Sequence, residues 1–165
     1  MIDIEYLKKK FCATPDDPRS YLHNPFNLDG HTYCTNGAVF VRVLRDSRFD
    51  GCEKNKVITA IQKLYSGLVV DESRFAPVPT LPSIHEICPN CIGMGCEGCD
   101  NLGYFLDLRR IKCGAAEISN EYAHKLAVLP SSQIMLPTEN DKPIYFRFTD
   151  GDGFLMPMGP LKEGE

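Results

Sequence analysis

The sequence predicts an α+β domain, an antiparallel sheet with helices on one face, that carries a small zinc-knuckle insertion. Three observations predict it. Alternating apolar runs bounded by turn dipeptides stand before and after residues 71–107, helical periodicity separates them, and four cysteines crowd into twelve residues. The size agrees: 165 residues, 43% of them apolar, suffice for one domain with a real core plus a small module.

Residues 2–11 place Ile4, Leu7 and Phe11 on one face at spacings of three and four, which predicts a first helix. After a loop at Asp16-Asp17-Pro18, residues 26–43 predict a three-stranded meander. Asp29-Gly30 and Asn36-Gly37 are the dipeptides two-residue hairpins prefer, and Val39, Val41 and Val43 alternate with Phe40 and Arg42 as one buried face requires. Residues 54–66 carry the strongest helix signal, with Val57, Ile58, Ile61, Leu64 and Tyr65 in phase and Gly67 as a stop. Residues 76–82 hold three prolines and cannot be helix or central strand. They lead into the cysteines, so 71–107 reads as a Pro-rich linker and four-cysteine zinc-binding insertion, with 1–70 and 108–165 forming one domain around it. Residues 109–118 then suggest a strand. Ser119 is placed to cap a helix whose apolar face is Tyr122, Ala123, Leu126 and Leu129, and Pro130 ends it. Strands at 132–136, 144–149 and 154–158 close the chain. Asp150-Gly151-Asp152-Gly153 reads as the hairpin turn between the last two, because an EF-hand needs more ligands and a Glu at its twelfth position.

Four of the eight cysteines, Cys88, Cys91, Cys96 and Cys99, form C-x2-C-x4-C-x2-C. The opening segment has no apolar run of the signal-peptide kind, so a reducing, cytoplasmic setting is expected, where disulfides rarely persist. Each C-x2-C pair can turn both sulfurs onto one ion, and four thiolates suit tetrahedral Zn2+. An iron–sulfur cluster or disulfides are the alternatives. Four thiolates close the coordination sphere, which points to a structural ion. His85 and Cys113 stand near enough in sequence to replace a ligand, but neither belongs to a C-x2-C pair. Cys12, Cys34, Cys52 and Cys113 receive no role.

The segment 88–104 resembles the cysteine-rich repeats of DnaJ-type chaperones, whose unit is C-x2-C-x-G-x-G. Residues 88–95 fit the unit in full, and residues 96–103 fit with Asn101 in place of the first glycine. The resemblance implies a zinc knuckle. It does not imply chaperone function, since two units stand where those chaperones carry four and no His-Pro-Asp triplet exists in the chain. A second resemblance reaches the fold. Residues 142–158, ending Phe154-Leu155-Met156-Pro157-Met158, look like the final hairpin of bacterial DNA polymerase sliding clamps. Residues 118–136 are similar to the strand, helix and strand before it, and Thr35-Asn36-Gly37 resembles a turn of the clamp meander. This implies a single clamp-like domain where bacterial clamps carry three.

Such clamps turn locally basic helices toward DNA. The helix windows 2–11, 53–66 and 119–129 hold seven lysines against four acids, a net of +3 that leaves −7 elsewhere in a chain of net −4. Lys8, Lys9, Lys10, Lys54, Lys56 and Lys63 are therefore the DNA-facing candidates, meeting the duplex backbone without base readout. The first expected function is a non-catalytic, zinc-containing clamp-like protein of DNA replication or repair, compatible with a homo-oligomer. The second is an adaptor or inhibitor of viral (phage) or mobile-element origin that meets a replication or host protein through its zinc loop or acidic surface. An enzyme finds little support: His23, His31, His85 and His124 are scattered outside any catalytic motif, and no phosphate-binding glycine loop is present. No stretch approaches the roughly 20 apolar residues of a membrane span, so no membrane partner is expected.

Overall fold

The computed structural model describes residues 1–82 and 84–161. Residues 83 and 162–165, the latter at the end of the 108–165 segment, lie outside the described residues. Helix α1 spans Ile4–Phe11 and buries Ile4, Leu7 and Phe11; the Asp3 carboxylate caps it by accepting from the Glu5 N–H at 3.0 Å. The meander follows as β1 (Phe26–Leu28), β2 (His31–Thr35) and β3 (Val39–Leu44), antiparallel throughout. Helix α2 covers Asn55–Ser66, and β4 is Phe75–Pro77. Strands β5 (Glu86–Ile87) and β6 (Tyr104–Phe105) pair to frame the cysteines. Then come β7 (Arg110–Cys113), β8 (Ala116–Ser119), α3 (Asn120–Ala127), β9 (Gln133–Met135), β10 (Ile144–Phe148) and β11 (Gly151–Leu155).

The main sheet has seven strands in the order β1-β2-β3-β11-β10-β9-β4, every pair antiparallel. Four details depart from the sequence reading. Residues 75–77, expected within the insertion, form an edge strand paired with β9, a position that tolerates Pro77. The single strand expected at 109–118 is a β7–β8 hairpin, folded back at Gly114-Ala115 and separate from the main sheet. Ser119 stands at the cap of α3, yet its Oγ is buried with no hydrogen-bond partner among the described residues. The final turn is Thr149-Asp150, because Phe148 already pairs with Gly151.

Helices on one face is the larger correction. Cys34, Val39, Val41, Ile134, Phe146 and Leu155 pack against α1, α3 and the β7–β8 hairpin. Their sequence neighbours Tyr33, Phe40, Met135, Tyr145 and Phe154 point the other way, into clusters completed by Val57, Ile61, Leu64 and Tyr65 of α2. The sheet is thus covered on both sides. The physical reason is in β10: three successive buried residues, Ile144, Tyr145 and Phe146, are the mark of a strand with two dry faces. Each fully buried Phe or Leu on these faces contributes roughly 1.5–3 kcal/mol of transfer free energy.

Beneath α2 the apolar layer holds one ion pair. The Arg42 Nε donates to Asp152 Oδ1 at 2.6 Å across the β3–β11 ladder, and the Arg42 guanidinium lies 3.5 Å from the centre of the Tyr65 ring. Tyr65 and Tyr145 hydroxyls donate to the same carboxylate at 3.1 and 2.9 Å. Burial and the Asp152 charge raise both phenols, so they remain protonated donors. The acidic 150–153 segment is therefore engaged by the protein itself, Asp150 accepting from the Ile2 N–H at 2.7 Å.

Candidate metal centre

The sequence of the cysteine segment contains its own repeat, and the backbone follows it. Residues eight apart adopt matching conformations: Ile92 and Asp100 have φ 50° and 51°, Gly93 and Asn101 87° and 60°, Gly95 and Gly103 94° and 79°. Asn is among the few residues that enter this left-handed region readily, which explains how Asn101 substitutes for the unit's first glycine. Each unit turns through the same bond, Met94 N–H to Cys91 O at 3.0 Å and Leu102 N–H to Cys99 O at 3.0 Å. The second glycines cannot be replaced. A Cβ on Gly95 would meet Asn101 O at 2.8 Å, and one on Gly103 would collide with Gly93 O, so each unit leans on the other's left-handed residue.

This pairing brings four sulfurs together. Cys88 Sγ lies 3.7 Å from Cys96 Sγ, Cys91 Sγ 3.7 Å from Cys99 Sγ, and Cys96 Sγ 3.8 Å from Cys99 Sγ. All four lie within 4.8 Å of one another. A tetrahedron with metal–sulfur bonds of about 2.3 Å has edges of about 3.8 Å, whereas a disulfide needs about 2.05 Å. The four cysteines are within metal-binding distance in the arrangement one ion requires. Backbone donors point at the sulfurs: Gly95 N–H to Cys91 at 3.2 Å, Gly103 N–H to Cys99 at 3.3 Å and Cys96 N–H to Cys99 at 3.4 Å. Burial opposes ionisation of Cys99, but the Cys96 and Gly103 N–H groups outweigh it and bring the thiol down to about 7. Burial, with the neighbouring Cys88 and Cys99 thiols, pushes Cys96 up to about 11.

No other cluster of three or more potential metal ligands occurs among the described residues. Cys113 is buried in the main core, where burial pushes its thiol up to about 11. His85 packs edge-on against Tyr104 with ring centroids 4.9 Å apart. The other histidines are tied to main-chain carbonyls: His23 to Asp17, His31 to Asp29 and His124 to Leu81. The Cys12 and Cys34 thiols influence each other, which lowers Cys12 and, with burial, raises Cys34.

The structure separates the six candidate lysines. Lys8, Lys9 and Lys10 ride on α1, while Lys54, Lys56 and Lys63 belong to α2 and its cap, on the opposite side of the sheet. The sequence leaves open whether the basic helices share one face, and the structure places these two on opposite faces of the sheet. The reason is the two-faced sheet, which sends the helices apart.

Sequence reasoning missed the neck that holds the cysteine module. Asn120, the first residue of α3 and fully buried, accepts from the Leu81 N–H at 2.8 Å and donates to Asp107 Oδ2 at 2.7 Å. Asp107 receives the Arg109 Nε at 2.9 Å and the Ile84 N–H at 3.3 Å. The Arg109 guanidinium, with the Asn120 amide also contributing, outweighs burial and holds the Asp107 carboxyl well below the ordinary range. The only available signal is an isolated Asp-x-Arg some residues after Cys99, too common to single out.

No protein-family profile matches the chain, and neither a curated protein nor a solved structure matches it. Among the described residues, no helix is long and apolar enough to cross a membrane.

Proposed function

We propose that the protein is a non-catalytic adaptor in which a structural Zn2+ on Cys88, Cys91, Cys96 and Cys99 shapes a protein-docking module. The observation that carries the reading is the make-up of that module. Its buried cluster consists of cysteines alone, while Ile87, Ile92 and Met94 are exposed. A metal with four thiolates supplies the cohesion that an apolar core supplies elsewhere, and it releases the apolar side chains for contact. Bound zinc would contribute structure and a fixed charge. Four sulfur ligands leave it no position for water, so no hydrolytic chemistry is assigned to it.

X-ray absorption at the zinc edge of the metal-loaded chain tests the site, with four sulfur neighbours at about 2.3 Å expected. A photo-crosslinking residue at position 92, compared with one at position 56 on α2, tests the docking. A protein captured at 92, and binding in purified form only when metal is present, is the expected result. The competing reading is sequence-independent attachment to duplex DNA. Its lysines fall three to a face, and salt-sensitive binding of a duplex through either helix would displace the adaptor reading.

A further inference from the structure

Between Arg74 and Arg109 stand 34 residues without a single Lys or Arg. Four acids occupy the same stretch: Glu86, Glu97, Asp100 and Asp107. Asp107 is neutralised by Arg109 at 2.8 Å, while Glu86, Glu97 and Asp100 are exposed and have no ionic partner among the described residues. Four thiolates around a divalent ion add a net −2 at the module's centre.

Apolar side chains stand out from this anionic body. Ile92 is 81% and Met94 89% exposed, and Ile87 Cγ2 lies 4.0 Å from where a Cβ on Gly93, between them, would sit. Phe105, 40% exposed, stands directly across the β5–β6 ladder from Glu86. Exposed apolar side chains and unpaired acids therefore share one small module, on a backbone that brings four sulfurs together.

Resting on the adaptor reading, we propose that the partner is a cationic amphipathic protein segment, one that presents Leu-, Ile- or Phe-type side chains flanked by Lys or Arg. Charge decides among the occupants an exposed apolar patch can take. Nucleic acid and anionic lipid are repelled by a module with three unpaired acids and no Lys or Arg of its own. Two copies of the module face to face bring like charges together in the same way. A basic segment gains on both counts: its apolar side chains cover Ile92 and Met94, and its cations meet Glu86, Glu97 and Asp100, which also steers encounter.

The test uses the full zinc-loaded chain and three labelled 18-residue helix-forming peptides of one pattern: Leu with Lys, Leu with Glu, and Ser with Lys. Fluorescence anisotropy reads affinity, and amide shifts locate it. The Leu/Lys peptide is expected to bind and shift resonances within residues 86–105. Ile92→Ser with Met94→Ser is expected to weaken it at least tenfold. Glu86→Lys with Glu97→Lys is expected to weaken it three- to tenfold and to flatten its salt dependence. Full zinc loading of each variant shows that the fold survives. Equal binding of the Leu/Glu peptide at the module overturns the cationic partner and leaves the adaptor reading standing. No module shifts with any peptide overturns both. A dimeric mass with module shifts in the absence of peptide overturns the proposal in favour of a second copy.

Discussion

A side chain at position 153 has nowhere to go. Its Cβ would run into Phe40 O and sit 2.6 Å from Cζ of Phe146, whose ring lies across the glycine from the neighbouring strand. Glycine in a strand ordinarily weakens it, and replacement by Ala should help. Here the sign reverses: Gly153→Ala is expected to destabilise the chain by about 1–3 kcal/mol. Gly159→Ala, with nothing within 4 Å, is expected to be near neutral. Urea midpoints of the two variants check this. A second residue-scale prediction concerns Asp152, whose loss strands Arg42 beneath α2. Asp152→Ala is expected to cost roughly 1–3 kcal/mol, because the pair is partly buried and its partners keep some access to water, read in the same way. The sequence displayed these residues as an acidic glycine-rich turn, since nothing local reveals that Asp152 faces Arg42 across a ladder between residues 110 positions apart. The four metal-site cysteines, by contrast, were legible because spacing alone encodes their geometry.

Among elements, the neck has the most to lose. Leu81, Ile84 and Asp107 converge on the start of α3 through Asn120 and Arg109. Asn120→Ala leaves the buried Asp107 short of a donor and is expected to destabilise by about 1–3 kcal/mol, with faster hydrogen exchange at the Leu81 and Ile84 amides. Because Asp107 is depressed in the folded chain, its contribution is full above the ordinary carboxylate value of 3.8 and fades as pH falls below it. The Asp107→Asn variant is therefore expected to lose less stability than the wild type between pH 4 and pH 2, measured by thermal melts across that range. Periodicity disclosed α1, α2, α3 and the meander, because each displays enough turns or paired runs for its pattern to stand out. It failed at β7–β8 and β4. Strands of four and three residues are too short to show a period, and the Gly114-Ala115 turn lacks the Asn-Gly or Asp-Gly signal.

For the whole molecule, two cores stabilised by different means predict two separate transitions. The main domain rests on apolar burial on both faces of its sheet, the module on its four thiols. Chelation of the zinc-loaded chain is expected to open residues 86–105 to protease while the far-ultraviolet signal of the sheet persists. Simultaneous collapse of both would show one cooperative unit. The two-sided covering of the sheet was hidden from a reading that expected helices on one face, although Ile144-Tyr145-Phe146 carried the signal. The neck has a further consequence. Since Ile84 and Asp107 are held within one side chain's reach of each other, the chain leaves the domain and re-enters it at nearly the same point. The module is topologically a cassette. A variant with residues 85–106 exchanged for a short Gly-Ser link is expected to keep every strand of the main sheet, since β5 and β6 form a separate sheet, and an unchanged far-ultraviolet signal would check this.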